Sequence, residues 1–389
     1  LLSSGHIYEG STTTKQSFNT FGEIESETNA LNHTTNYGYN KLGKLTTKTD
    51  PSVDITYANG YKQTAADNGY VAPTTEYFYD AFSRSIAVLD ANGNLTTQVW
   101  AGDKISKVYS PVSSNVKETL YDALGDKRYE SNGELPETSY TYDYTTGRVE
   151  VTRTRISDGQ DIKYLYDGSG KLLEVRKDIY DYAAQASGEY TQEFYYDYLN
   201  RQTSAKAYDG TLTSYTYTYV AGLAGGLGGF RTVKTDAANR TMIDDNDYFG
   251  RLLSHTDMGN RTFIYDYNES GMITHQYSTH TGQDIYYHYF SNGLLKGIDD
   301  VGENSYVTYE YDANGNVTFE GYSAIDDTGH RHFLQESTAQ YDALNRITSI
   351  TDNAYSIDYE YDAVGNRMRV YSEYNKVEGG TDTQEYWYK

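Results

Sequence analysis

Cysteine is absent from the 389 residues, so neither a disulfide framework nor a thiolate site can be built. That absence does not separate cytosol from exterior. Proline occurs only four times, so it interrupts few strand ladders. Leu, Ile, Val and Phe together make up less than a fifth of the chain, too little for one thick aliphatic core. Lys and Arg number 32 against 55 Asp and Glu, giving a net charge of −23. Such a balance argues against general binding to nucleic-acid backbones, which depends on clustered cations releasing counterions. It favours solubility and attracts cationic partners. No run approaches the roughly 20 apolar residues of a membrane helix. No basic and apolar leader follows Leu1, and the chain reads as an excised or processed piece of a longer one.

Few aliphatics and high net charge usually signal disorder. Forty-five tyrosines and a regular repeat reverse that reading. Tyrosine brings large apolar area while its hydroxyl stays wet or hydrogen-bonded. A tyrosine followed by Asp or Asn returns at a near-constant interval, trailed by Gly-Arg-Leu-like residues and a second turn. The clearest copies begin at Tyr121, Tyr166, Tyr311, Tyr341 and Tyr361, each followed by Asp122, Asp167, Asp312, Asp342 or Asp362. Further pairs are Tyr39-Asn40, Tyr79-Asp80, Tyr142-Asp143 and Tyr196-Asp197, with weaker copies at Phe18, Asn246, Tyr267 and Tyr289. The step from Tyr341 to Tyr361, or from Tyr121 to Tyr142, sets the period. A fixed period of this length marks an array in which each unit buries itself only against its neighbours. The expectation is one continuous array over residues 1–389.

Irregular spacings carry their own readings. The intervals from Tyr39 to Tyr79 and from Tyr79 to Tyr121 are each two periods long, so each is expected to hold a degenerate unit, around Tyr57 and Trp100. The intervals from Tyr166 to Tyr196 and from Tyr311 to Tyr341 are each one and a half periods and suggest lengthened hairpin tips. The glycine-rich stretch 221–229 reads as a flexible loop.

Within a unit the local signals are those of strands. Runs such as Ser214–Tyr219 and Asp358–Tyr361 alternate with period two and are rich in Tyr and Thr. Asn59-Gly60, Asn92-Gly93, Asn132-Gly133, Asp158-Gly159, Asp209-Gly210, Asn292-Gly293 and Asn314-Gly315 supply the positive φ that tight hairpin turns require. The fold class is therefore all-β, an array of antiparallel β-hairpins forming a curved, spiralling ribbon or shell. Tyr37 and Tyr39, Tyr77 and Tyr79, Tyr140 and Tyr142, Tyr164 and Tyr166, Tyr309 and Tyr311, and Tyr359 and Tyr361 share a face in each copy. Stacked hairpins are expected to line these rings into aromatic ladders. The aspartate after the tyrosine is expected to accept turn amides, a structural role.

The recurring Tyr-Asp-x-x-Gly-Arg-Leu order resembles the Rhs/YD-repeat family, and the resemblance runs from about Phe18 to about Arg369. That family includes bacterial Rhs polymorphic toxins, the TcB and TcC toxin components, wall-associated proteins and teneurins. The resemblance implies a hollow hairpin shell that, in bacterial members, encloses a toxic C-terminal domain before delivery. The chain departs from full-length members in lacking their Asp-Pro-Gly-Leu self-cleavage region. Its one Asp-Pro, Asp50-Pro51, is followed by Ser-Val. About thirty strands at roughly 4.8 Å each make a ribbon near 140 Å long, enough for about one circuit at a radius of roughly 25 Å. The exposed margins of such a ribbon call for more repeats, from this chain or from other copies.

Site chemistry is sparse against this background. Asp90, Asn92 and Asn94, and Asp312, Asn314 and Asn316, open with the spacing of a calcium loop but lack its closing glutamate. His330 and His332, with His275 and His280, suggest zinc only weakly, because no third ligand is placed by spacing. No G-x-S-x-G, P-loop or H-E-x-x-H is present, so no catalytic, cofactor or metal residues are assigned and no enzymatic activity is expected. The leading function is a structural shell segment that encapsulates or presents an effector for secretion. The alternative is an extracellular binding, adhesion or filament module whose Tyr-rich faces and edges contact glycans, proteins or other copies. Either places the chain outside a bacterial cell or at its surface, with no nucleic-acid partner and no membrane span.

Overall fold

A computed structural model describes residues 13–57, 62–63, 72–110, 116–132, 136–144, 147–181, 185–326, 328–375 and 380–388. It is nearly all β: 33 strands, and one short 3₁₀ turn at Ala224–Gly226 among the described residues. By internal contact the chain forms two compact units. Unit 1 comprises Leu1–Gln98 with Ile285–Lys389, and unit 2 comprises Val99–Asp284.

Both units are ladders of antiparallel hairpins joined in sequence order. In unit 1, Lys15–Phe18 pairs with Ile24–Thr28, then Thr34–Tyr39 and Leu45–Thr49 follow. Later in the same unit Val317–Ile325, Arg331–Tyr341, Ile347–Asp352, Tyr355–Tyr361, Arg367–Asn375 and Thr381–Trp387 pair in turn. In unit 2 the ladder includes Thr138–Asp143, Val149–Arg155, Gln160–Tyr166 and Leu172–Asp181. The two intervals of one and a half periods are long hairpins, as expected. Leu172–Asp181 and Ala186–Tyr196 hold 10 and 11 residues, and Val317–Ile325 and Arg331–Tyr341 hold 9 and 11.

One of the two degenerate-unit expectations is corrected. The interval after Tyr39 does not add a rung: the ladder steps directly from Leu45–Thr49 to Thr74–Tyr79 through Thr47↔Glu76. Residues 51–57 leave the ladder instead, and among the described residues Ile55–Thr56 pairs only with Lys62–Gln63. Asn59-Gly60 lies outside the described residues. At Trp100 the interval does hold a hairpin turn, with Gly102 at φ 65° between Leu95–Ala101 and Lys104–Tyr109.

The glycine-rich stretch is a hydrogen-bonded connector between Leu212–Val220 and Gly229–Thr235, which corrects its reading as a flexible loop. Gly226 and Gly228 both donate to the Leu223 carbonyl, at 3.0 and 3.1 Å. A Cβ at Gly228 would collide with the Tyr219 hydroxyl, and one at Gly229 with the Asn246 carbonyl. Close approach, not flexibility, explains these glycines.

Buried apolar side chains are few. Val53 (2% exposed), Ile55 (0%) and Ala363 (7%) form a small core, against which Ala91, Ala343 and Leu344 pack. Segments far apart in sequence build it, and all of it belongs to unit 1. Thr56, itself buried, donates its hydroxyl to Glu360 at 2.8 Å across 304 positions.

Candidate functional site

The repeated feature of the molecule is a joint between successive hairpins, and it starts at the turn. At the signature tyrosine the register shifts by one residue, as at Gly38/Tyr39, Phe78/Tyr79, Leu120/Tyr121, Leu165/Tyr166, Tyr195/Tyr196, Glu310/Tyr311, Gln340/Tyr341 and Glu360/Tyr361. The next residue opens a type I turn closed by a residue of positive φ, the three-residue hairpin loop with a bulge. At Asp122 the Gly125 amide donates to the Asp122 carbonyl (3.0 Å) and the Asp122 amide to the Asp126 carbonyl (2.9 Å). Gly125 has φ 85°, while Ser83, Asn200 and Asn345 take the same position at 63°, 65° and 59°. In Asn92-Gly93, Asn292-Gly293 and Asn314-Gly315 only the glycine has positive φ.

The carboxylate holds the loop by accepting the amides two and four residues ahead. Asp342 Oδ1 accepts from Leu344 (2.9 Å) and Arg346 (3.0 Å), and Asp80, Asp122, Asp167, Asp197, Asp312, Asp362 and Asn40 repeat the pattern. Asp143 differs: it lies within its strand opposite Glu150, and the loop beyond includes residues outside those described. The turn amide four residues ahead is the largest influence holding Asp80, Asp122, Asp167, Asp236 and Asp257 below the usual carboxylate range. At Asp197 and Asp247 burial pushes the other way and is outweighed by amide and guanidinium contacts.

The second carboxylate oxygen often holds the arginine of the same turn. Asp342 accepts Arg346 Nε at 2.6 Å, Asp247 accepts Arg251 at 2.6 Å and Asp197 accepts Arg201 at 2.8 Å. Each guanidinium then lies over a tyrosine of the next hairpin: Arg346 over Tyr361 (4.7 Å), Arg251 over Tyr267 (5.1 Å), Arg201 over Tyr217 (4.4 Å) and Arg128 over Tyr142 (4.9 Å). Lys104 and Lys171 cover Tyr121 and Tyr196 in the same manner. Tyr311 instead meets Phe290 edge to face. Cations as well as aromatic neighbours meet these rings, an addition to the expected aromatic ladders. A cation over a ring is worth roughly 0.5–2 kcal/mol depending on exposure.

The tyrosine hydroxyl completes the joint. It donates to the carbonyl of the first residue of an earlier strand, the one opposite the preceding signature position. Tyr79 reaches Leu45 (2.8 Å), Tyr196 Leu172 (2.9 Å), Tyr267 Leu252 (2.7 Å), Tyr311 Leu295 (2.8 Å), Tyr341 Val317 (2.9 Å) and Tyr361 Ile347 (2.8 Å). Burial pushes the phenols of Tyr79, Tyr166, Tyr311, Tyr341 and Tyr361 up from the ordinary tyrosine value. So the Tyr, Asp and Arg of the signature are three parts of one device, and the residue after Arg supplies its acceptor.

Sequence reasoning missed Arg128, Arg201, Arg251 and Arg346 as stacking partners; the second turn it expected in each unit closes the opposite margin. Those turns use the same chemistry: Asp90, Asp236, Asp257 and Asn29 each accept amides two and four residues ahead. An Asp or Asn followed three residues later by Gly or Asn, half a period after the tyrosine, is their signal.

The proposed metal ligands have other uses. Asp90 and Asp312 spend one oxygen on turn amides and the other on Asn94 and Asn316. Asn92 bridges to Asp362 and to the Ala363 amide. His332 bonds Asp326 at 2.6 Å, His330 bonds Thr328 at 2.8 Å and His275 bonds Asp284 at 2.7 Å. Among the described residues no group of three His, Cys, Asp or Glu side chains is placed to share an ion. No helix among them is long and apolar enough to cross a membrane.

Hairpins joined through Tyr, Asp and Arg define an antiparallel hairpin-repeat array, and the chain resembles the Rhs/YD-repeat proteins. In sequence it is 27% identical over 201 residues to the tRNA3(Ser)-specific nuclease WapA of Bacillus spizizenii. The match takes in 50% of this chain and 8% of that protein, so the chain spans less than a tenth of its relative. Among solved structures it is similar to TcdB2-TccC3-Cdc42, at 14% identity, with 97% of this chain and 20% of that one covered and a TM-score of 0.45. It is also similar to TcdB2-TccC3, at 14% identity, covering 95% and 23% with a TM-score of 0.36. No family model matches the chain.

Proposed function

We propose that this chain is a non-catalytic wall segment of an Rhs/YD-repeat protein, one array over residues 1–389 whose hairpins encapsulate or present an effector domain for secretion from a bacterium. The observation that carries this reading is the stacking of early on late hairpins in unit 1. The Asn92 side chain donates to Asp362 Oδ2 (2.8 Å), 270 positions away, and accepts the Ala363 amide (3.1 Å). A wall built from a winding ribbon needs such contacts between margins. The signature groups are committed to joints between hairpins, which leaves them a structural role. A protease-protection assay on the full-length protein tests the reading. An effector enclosed by the repeats resists digestion when they are intact and becomes sensitive when the Val53 and Ile55 contact is broken by Ile55→Asp. Equal digestion of both forms sinks encapsulation.

A second reading, an extracellular assembly or adhesion module that contacts glycans, proteins or other copies, is favoured by large apolar side chains exposed at the turns, Phe21, Phe82 and Phe249 among them.

A further inference from the structure

In each unit the signature turns present apolar side chains to solvent at one repeated position, two residues after the turn Asp or Asn. In unit 1 these are Phe21 (86% exposed), Leu42 (71%) and Phe82 (80%), and in unit 2 Leu124 (80%) and Phe249 (84%). The three turns of unit 1 follow strands running the same way along the ladder, Lys15–Phe18, Thr34–Tyr39 and Thr74–Tyr79, so they share one margin. The turn itself does not demand an apolar residue there, because the centre of a type I turn accepts most side chains. Ser169 and Asn314 occupy the same place in other signature turns. Single exposed apolar residues are ordinary, but a repeated row of them marks a contact surface.

The chain itself shows what covers such turns. At the turn opened by Asp342 the residue at the repeated position, Leu344, packs with Ala343 and Ala91 against Val53 and Ile55, and at the turn opened by Asp362 Ala363 joins that core while Val364, at the repeated position, stays exposed. Asn92 adds two hydrogen bonds to the Asp362 turn. Both covering segments come from the opposite margin: residues 51–56 follow the strand Leu45–Thr49, and Ala91-Asn92 follows Ser85–Leu89. An opposite-margin segment on a signature-margin turn is therefore a contact this sequence already makes.

We propose that in each unit the uncovered signature turns, at Phe21, Leu42 and Phe82 in unit 1 and at Leu124 and Phe249 in unit 2, bind an opposite margin of a second copy of this chain. The two surfaces differ, so the contact is heterologous: each copy keeps one free margin, and association continues beyond two unless the rotation closes a ring. This deepens the wall-segment reading by naming a partner, but it needs no enclosed effector. Loss of protease protection would therefore leave it standing.

Sedimentation velocity of the whole chain over a concentration series tests it. The wild type should grow in mean mass with concentration through dimers to larger species. The variant carrying Phe82→Ser, Leu124→Ser and Phe249→Ser should stay monomeric with an unchanged melting temperature, since these side chains are exposed. Geometry is read separately, because the chain has no cysteine of its own. Mixed Leu124→Cys and Ala238→Cys proteins should cross-link to each other, signature margin to opposite margin, in preference to Leu124→Cys with itself. A wild type that is monomeric throughout, a serine variant that associates equally, or Leu124→Cys pairs that dominate would each overturn the proposal.

Discussion

The two units use the same repeat and hold together differently. Every buried apolar side chain among the described residues, from Ile55 and Val53 to Phe290, Tyr311 and Met368, lies in unit 1. In unit 2 the buried side chains are polar, with Asp245 gripped by Arg231 at 2.7 Å and Asp247 by Arg251 at 2.6 Å. Unit 1 therefore adds a non-local apolar contact to its ladder, while the described joints of unit 2 link hairpins to near neighbours in sequence. An array with only nearest-neighbour terms loses cooperativity when one interface fails. A unit pinned between distant segments resists until the pin is removed.

Acid should separate the units most. In unit 2 the turn carboxylates Asp122, Asp158, Asp167, Asp197, Asp209, Asp236, Asp247 and Asp257 are held below their ordinary value. In unit 1 Asp80 and Asp326 are. A depressed folded-state value contributes stability that is present above the unfolded value of about 3.9 and drains away as the pH falls through the folded one. Hydrogen exchange from pH 5 downward should show unit 2 losing protection first, below about pH 4. Simultaneous loss in both units would show that the turn carboxylates do not set the acid stability of unit 2 apart from that of unit 1.

Ile55→Asp comes next in size. The side chain is fully buried, so the change costs at least the roughly 2–5 kcal/mol of truncation to alanine, with the desolvation of a carboxylate added. Exchange should rise at residues 91–92, 343–344 and 363 of unit 1, with unit 2 unaffected. Protection lost uniformly over the chain would show that the two units are not energetically separable.

Tyr341→Ala in unit 1 and Tyr267→Ala in unit 2 should each cost about 3 kcal/mol or more, because a packed ring is deleted. The consequences differ. Tyr341 lies in the unit that distant segments pin, so its loss should lower one cooperative transition. Loss of Tyr267, with its Arg251 stack, should split the unit 2 transition near residues 252–267. Asp342→Ala should cost less than the tyrosine, about 2 kcal/mol, since a charged acceptor of two amides and a guanidinium is removed.

The all-β hairpin array is legible because tyrosine alternation and turn residues repeat, and so is the turn role of aspartates such as Asp342. The cation in each joint is not. Arg251 and Tyr267 stand at opposite ends of a strand–turn–strand segment, and only the pairing of Leu252–Thr256 with Thr262–Tyr267 brings them together. The segment at Val53 and Ile55 lies in the interval of two periods from Tyr39 to Tyr79, and so reads as part of a degenerate unit. What takes it off the ladder is contact with Ala363, near the other end of the chain, which no local window contains. The glycines at 228 and 229 read as flexible for a related reason: their demand for close approach comes from Tyr219 and Asn246.

The smallest effect tests the joint itself. Tyr267→Phe keeps the ring under Arg251 and removes only the hydroxyl that donates to Leu252 at 2.7 Å. The acceptor is a carbonyl at the first residue of its strand, where the bulge shifts the ladder register between Asp245 and Asn246. Losing that bond should cost about 1 kcal/mol, the usual net worth of one hydrogen bond. In unit 1 Tyr341→Phe makes the same change against Val317. If nearest-neighbour joints alone set local stability, the two losses should be equal within error, although the alanine variants reshape their transitions differently. A markedly smaller cost at Tyr341 would mean that the pinned core takes up strain the joint no longer bears. Cooperativity in unit 1 would then reside in Val53 and Ile55, not in the repeat.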